Sequence, residues 1–154
     1  MPRVGLKGHG SCMLIDEGLV ILPEEECFEL LARHHVGRVA VTVSALPAVF
    51  PVNYAVMDGA IVFRTGEGTK LSVALRNTVV AFEIDEFEPF AHGGWSVLAI
   101  GVASELEGDA LARAQSLPLR PWADGERDHY VRIVPELLSG RRIIHVPADA
   151  IAVG

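Results

Sequence analysis

Residues 48–77 decide the fold, with the sequence AVFPVNYAVMDGAIVFRTGEGTKLSVALRN. Its β-branched residues predict a strand that ends in a tight turn at Asp58-Gly59, and a second strand that returns over residues 60–65. The glycine-rich loop that follows leads into a short helix over residues 71–76. The stretch therefore predicts a β-hairpin whose second strand delivers the chain to a helix.

Polar side chains gather where that strand meets that helix, namely Arg64, Thr65, Thr69 and Lys70. Phosphate groups bind guanidinium, ammonium, hydroxyl and backbone N–H donors. If the loop folds back over the strand end, these residues predict a phosphate site. They are equally typical of a charged, solvated loop, and the nucleotide motifs GxxxxGK[ST] and GxGxxG are absent.

The first strand of the hairpin contains Pro51, which cannot donate a ladder hydrogen bond. This part of the strand is therefore predicted to be an edge, a bulge, or a place where something other than a strand faces the backbone. Asn53 lies two residues further on, and its amide either satisfies the backbone or contacts a ligand.

Outward from this hairpin, the pattern predicts mostly strands joined by short connections. A helix is predicted over residues 23–34, with Cys27, Leu30 and Leu31 on its buried face, and another over residues 109–116. Further strands are predicted over residues 38–44, 49–56, 60–65, 78–85, 95–106 with a bend or bulge at Gly101, 130–134 and 142–146, with a turn over residues 45–47. Such a set indicates an antiparallel sheet that closes on itself.

Length and composition predict one domain over residues 19–154, preceded by a flexible leader over residues 1–18. Half of the residues are hydrophobic, yet no apolar run is long enough to span a membrane, and no signal peptide is evident. We therefore expect a cytoplasmic protein. The net charge of −7 argues against a nucleic-acid partner.

The chain offers no recognisable catalytic group of its own. Cys12 and Cys27 form no CxxC motif, and no metal site is predicted from the cysteines or from the scattered histidines. The G-x-S-x-G and HExxH motifs are both absent. If the protein is an enzyme, a cofactor is expected to carry the chemistry.

Taken in order, the motifs GRVAVTV, PAVFPVNYAV, AIVFRT, VAFEID, GWSVLAIGVA, LPLRPWADGERDHYVRI and GRRI resemble the FMN-binding split-barrel superfamily. Within it, the chain is similar to short bacterial proteins of the pyridoxamine 5′-phosphate oxidase-like group. The resemblance covers residues 19–145. It implies a mainly β fold, a six-stranded antiparallel Greek-key split β-barrel with a few short flanking helices. It also implies a homodimer with two FMN sites in the clefts between subunits.

The resemblance further implies which residues contact the cofactor. They are Pro51, Val52, Asn53, Arg64, Thr65, Thr69, Lys70, Trp95, Ser96, Arg120 and Trp122. The first three would run beside the flavin ring, the next four would hold the phosphate, and the following two would face the same cleft. The last two would reach the flavin of the partner subunit.

Two departures from true pyridoxamine phosphate oxidases argue against vitamin B6 oxidation. Gly68-Thr69-Lys70 stands where those enzymes have Ser-Arg-Lys, and the final residues PADAIAVG carry no cation after His145. The leading prediction is an FMN-dependent oxidoreductase of a small molecule. The alternatives are a deazaflavin-dependent reductase, a non-catalytic flavin or haem binder for storage or sensing with His92 or His129 as haem ligand, and a cofactor-free dimeric module.

Overall fold

The structure is a computed structural model that describes residues 13–16, 18–66, 68–119 and 129–144. In chain order its elements are β1 Met13–Asp16, β2 Leu19–Leu22, α1 Glu24–Arg33, β3 Val36–Val43, β4 Leu46–Met57, β5 Ala60–Thr65, α2 Lys70–Ala74, β6 Thr78–Glu88, β7 Gly93–Glu105, α3 Gly108–Ala114 and β8 His129–Ile143. The fold is therefore mainly β, as the sequence predicts.

Six of the strands form an antiparallel barrel in the order β8-β5-β4-β3-β6-β7. The first and last of them, β8 and β7, also pair with each other, which closes the barrel. The predicted six-stranded split barrel is confirmed. Within the described residues the strand total is nevertheless eight, because a β1–β2 hairpin pairs with the far end of β8. β1 lies inside the predicted leader, whose lack of apolar periodicity concealed a strand.

The barrel core is built from the alternate residues that face inward on each strand. Its largest fully buried side chains include Tyr54, Phe63 and Phe82. Helix α1 packs Leu31 against this core, and the Tyr54 hydroxyl donates to the Leu31 carbonyl over 2.7 Å. A second cluster on the outside of β5 packs beneath α3 and includes Val62.

Helix α1 follows the sequence prediction closely. It begins after Pro23 and carries three glutamates in its first turn, where a negative charge interacts favourably with the helix dipole. Its buried residues are Cys27, Leu30 and Leu31, as predicted from their spacing. Burying each leucine contributes about 1.5–3 kcal/mol of hydrophobic stabilisation.

Strand β4 changes its ladder partner along its length. Residues 46–53 pair with β3 alone, whereas β5 joins from Tyr54 onward. The Tyr54 N–H donates to the His35 carbonyl, so the backbone N–H of Tyr54 points toward β3. Backbone groups alternate in direction along a strand, and Pro51 lies three residues before Tyr54. The Pro51 nitrogen therefore points the other way, to the open edge. Pro51 therefore removes no ladder bond, and the predicted edge position is confirmed.

The turn before β4 differs from the prediction. Ser44 and Ala45 both have positive φ and form a two-residue hairpin, so Leu46 and Pro47 already belong to the strand. Pro47 suggested a turn there. Its nitrogen points to the open edge, so this proline does not interrupt the ladder between β3 and β4. The other predicted turn, at Asp58-Gly59, is confirmed.

Strand β8 is one strand of 15 residues, where the sequence predicted two. Pro135 and Gly140 suggested a break, but Pro135 lies at a bulge, where the register against β7 shifts between Ile100 and Gly101. The bulge at Gly101 was predicted and is confirmed. Gly140 lies over α1, where a Cβ atom would come 2.5 Å from the Cys27 sulfur.

Candidate functional site

The end of β5 and the start of α2 form a hydrogen-bonded junction of hydroxyl groups. Thr65 is 2% exposed, and its Oγ1 lies 3.2 Å from Oγ1 of Thr69. The Thr69 oxygen also accepts from the Ser72 N–H over 3.0 Å and thereby caps α2. Because the Thr69 hydroxyl donates to the Gly66 carbonyl over 3.0 Å, the Thr65 hydroxyl donates to Thr69 in this arrangement.

A cleft of about 390 Å³ opens beside this junction. Its lining includes His129, which the sequence analysis offered as a haem ligand, and polar side chains that the sequence analysis missed: Ser72, Arg76, Ser104, Glu105 and Glu107. The spacing of Thr69, Ser72 and Arg76 by three and four residues predicts a shared face of α2, and this signal could have found them.

The lining groups include both donors and carboxylates. A Glu105 carboxylate oxygen contacts Nδ1 of His129, so this carboxylate already has a hydrogen-bonding partner. Lys70 is exposed in the first turn of α2, and Arg76 follows the helix. The residues present therefore fit a phosphate: Arg76 lines the cleft, Lys70 is next to the capping residue in sequence, and the Thr65 hydroxyl can rotate from Thr69 toward a bound oxygen.

Arg64 is not brought to this junction. Side chains alternate along a strand, so Arg64 leaves β5 on the face opposite Thr65. Its Nη1 donates to the Leu119 carbonyl over 3.5 Å, and its guanidinium lies 5.2 Å from the ring centre of Tyr130. The structure thus brings Thr65 and Thr69 together, leaves Lys70 exposed in the first turn of α2, and places Arg64 elsewhere.

The three residues predicted to run beside a flavin ring divide between two faces of β4. Val52 is buried in the barrel core, and its register opposite Gly37 directs its backbone groups toward β3. Pro51 is exposed on the outer face, and Asn53 is half-buried there. Only Pro51 and Asn53 are therefore placed at the open edge of β4.

Trp95 and Ser96 lie at the opposite end of the barrel from the junction. Thr65 pairs with His129 at the start of β8, whereas Trp95 pairs with Arg142 near its end. At 3.3 Å per residue, these positions are separated by roughly 40 Å of strand. The predicted phosphate residues and the pair Trp95-Ser96 therefore lie far apart along β8.

Trp95 packs against the end of helix α1. Its ring meets the His34 ring edge-on, with centroids 4.7 Å apart. Nδ1 of His34 lies 2.7 Å from the Leu30 carbonyl, and Nε2 lies 3.6 Å from a Glu86 oxygen. This end of the barrel thus carries an aromatic pair held by hydrogen bonds and charge.

Other predictions concern single residues. Arg120 and Trp122 lie outside the described residues. Burial raises the pKa of the Cys27 thiol, with a further contribution from the charge of Glu26, which suits the predicted structural role. Among the residues that the structure describes, no three His, Cys, Asp or Glu side chains form a group that could hold a metal, and no helix is long and apolar enough to cross a membrane.

Comparison with known proteins identifies the family. Residues 23–142 match the family model described as pyridoxamine 5′-phosphate oxidase. The chain belongs to the pyridoxamine 5′-phosphate oxidase family. An uncharacterized protein of Mycobacterium tuberculosis is 42% identical over 132 residues, which is 82% of this chain and 86% of that protein.

Solved structures of this family share the fold. The FAD-binding protein from Mycobacterium smegmatis is 39% identical, with a TM-score of 0.70 over 81% of this chain and 98% of that one. An FAD-binding protein from Mesorhizobium loti is 26% identical, with a TM-score of 0.66 over 80% of this chain and 97% of that one.

Proposed function

We propose that this protein binds a flavin, with the flavin phosphate at the β5–α2 junction, and acts as an oxidoreductase on a small molecule. The observation that carries the proposal is the buried Thr65 hydroxyl, which is bonded to the cap of α2 and borders an open cleft whose lining includes Arg76. The FAD-binding protein from Mycobacterium smegmatis supports it, because it shares more than a third of its sequence with this chain.

The two lines of support favour different forms of the flavin. The resemblance to FMN-binding split barrels favours FMN, whereas the names of two related structures favour FAD. Both carry phosphate and would use the same cations. Equilibrium titration with FMN, FAD and riboflavin, followed by flavin fluorescence, tests this. We expect FMN to bind at least about tenfold more tightly than riboflavin, the factor for one charged hydrogen bond.

The same titrations separate the alternatives. A deazaflavin coenzyme that binds more tightly than FMN would assign the protein to deazaflavin chemistry. A Soret band after haem titration that is lost in His129→Ala would favour haem binding. A protein that binds none of these would refute cofactor binding and leave the cofactor-free module.

We further propose that each flavin site is shared between two copies of the chain in a cytoplasmic homodimer. The support is the distance along β8 between Thr65 and the pair Trp95-Ser96. A closed two-fold interface can bring the start of β8 in one subunit to the end of β8 in the other. The exposed hydrophobic side chains on the outside of β8, Val134 and Leu137, favour a covered surface.

A subunit-mixing experiment tests the shared site. Lys70→Ala damages one half of each site and Ser96→Trp the other half, so each variant alone should bind flavin weakly. After the two are unfolded together and refolded as a mixture, a mixed dimer contains one intact site. Random pairing predicts recovery of about one quarter of the wild-type sites. No recovery from a mixture that does form dimers would show that the site lies within one chain.

A bound flavin would supply hydride or electron transfer. The residues described here would hold and orient it: Lys70 and Thr65 at the phosphate, and Pro51 and Asn53 along the open edge of β4. The Glu105–His129 pair is an acid–base pair that faces the junction cleft. The protein's own contribution is therefore positioning and shielding from water.

A further inference from the structure

The end of the barrel that carries Ser96 has an outer face with a row of apolar groups beside a row of polar ones. Directly paired residues share a face, as do residues two apart on one strand. The first row is Leu19, Ile143, Gly94 and Phe87. The second row is Arg141, Ser96 and Asp85. Four strands, β2, β8, β7 and β6, thus build one surface.

This surface contains a cleft of about 340 Å³, which we name the Arg141 cleft, and both rows contribute to its lining. Phe87 and Ile143 are 61% and 51% exposed and flank Gly94, which has no side chain to fill the space between them. A Cβ atom at Gly94 would lie 3.1 Å from the Phe87 ring, so the ring lies close over the glycine. The result is a slot with apolar walls, of a size that suits a small molecule.

The charges around the slot leave one group uncompensated. Asp85 forms an ion pair with Arg38, which also pairs with Glu83. Glu86 lies 3.6 Å from His34. Arg141 is exposed, and its guanidinium has no ion pair or hydrogen bond within the described part of the chain. The cleft therefore presents a guanidinium without a carboxylate partner there, beside the Ser96 hydroxyl and apolar walls.

We propose that the Arg141 cleft binds a small planar molecule that carries a carboxylate or phosphate group. The anion contacts Arg141 and the Ser96 hydroxyl, and the planar part lies between Phe87 and Ile143. An arginine fork matches the two oxygens of such an anion, and adjacent apolar surface strengthens the contact by excluding water. The inference rests on the proposed function in one respect, because Ser96 is also a predicted flavin contact in the shared site.

The test uses benzoate and its neutral analogue benzamide as probes, measured by ligand-observed NMR on the full-length protein. We expect wild type to bind benzoate about tenfold more tightly than benzamide, as one charge-assisted contact provides. Arg141→Gln should abolish this preference. Arg132→Gln is the matched control, since Arg132 is another exposed arginine of β8 and bonds only to Ser104 within the described residues.

Two results would overturn the site: equal binding of both probes to wild type, or equal loss of preference in Arg141→Gln and Arg132→Gln. Thermal unfolding of each variant confirms that it is folded. Benzoate binding does not require flavin, so the benzoate test remains valid if the protein does not bind flavin.

A second measurement identifies the source of the anion. If the anion is the phosphate of a flavin, Arg141→Gln lowers the affinity for FMN but not for riboflavin. If it belongs to a separate substrate, both flavin affinities stay unchanged while benzoate binding is lost. Either pattern supports the anion site, and unchanged binding of flavins and benzoate alike refutes it.

Discussion

The hydroxyl oxygens of Thr65 and Thr69 lie 3.2 Å apart, and this contact joins the last residue of β5 to the residue that caps α2. The contact brings the two ends of the connecting loop together, and Lys70 follows the capping residue in the first turn of α2. The predictions for the phosphate site follow from this contact.

Replacing Thr65 by valine keeps the shape and removes the hydroxyl. We expect the free energy of unfolding to fall by about 0.5–1.5 kcal/mol, because the Thr69 oxygen loses one donor. The dissociation constant for FMN should rise about five- to tenfold for the loss of one phosphate contact. Urea unfolding and flavin titration measure the two effects. Thr42→Val, an exposed change on β3, is the control, and an equal effect from it would contradict the role of Thr65.

Replacing Lys70 by alanine should weaken FMN binding by about 1.5–3 kcal/mol, the range for a hydrogen bond to a charged group. Lys70 is exposed, so stability should change little. Calorimetric titration at two salt concentrations measures the affinity and its ionic component. Arg113→Ala removes a cation that pairs with Asp58 on another face of the molecule. The same loss in that variant would mean that net charge, and not a local contact, accounts for the effect.

Replacing Gly101 by alanine should destabilise the barrel by several kcal/mol. The new Cβ atom would overlap the Val134 carbonyl at the β7–β8 bulge, so the backbone must shift. Gly93→Ala is the comparison, because its Cβ atom would lie 3.3 Å from the nearest carbonyl, where a small adjustment suffices. Equal melting temperatures for the two variants would show that the bulge does not require glycine.

The stability of the protein should fall as the pH rises above about 8.5, where an unfolded cysteine begins to ionise. Burial raises the pKa of Cys27, so the folded chain keeps a proton that the unfolded chain releases. The unfolded state then binds fewer protons, and its free energy falls relative to the native state. Urea unfolding across this range should show a steeper loss for wild type than for Cys27→Ala; parallel curves would exclude the thiol as the cause.

Local sequence rules predicted the parts of the fold that depend on one or two residues. The turn at Asp58-Gly59, the bulge at Gly101 and the edge position of Pro51 each follow from a backbone property of glycine or proline. The continuity of β8 did not follow, because a bulge and a close approach to Cys27 place Pro135 and Gly140 inside a strand. Such accommodation depends on residues distant in sequence.

The candidate site was predictable in composition but not in arrangement. Arg64 and Thr65 were expected to act together, although the alternation of side chains along a strand separates them. Arg141 was visible only as part of the motif GRRI. The proposed role of Arg141 in binding an anion depends on Asp85 and Glu86 having other partners, namely Arg38 and His34, and no spacing in the sequence indicates these contacts.

Strand β8 has a consequence for the order in which the chain can fold during synthesis. It is the last strand of the barrel, and it pairs with β5 on one side and with β7 on the other. Until residues 129–143 have left the ribosome, β5 and β7 both present unpaired edges, which can pair with other nascent chains. Barrel closure is therefore a late event, whereas the hydroxyl contact between Thr65 and Thr69 needs no residue of β8 and can form before it.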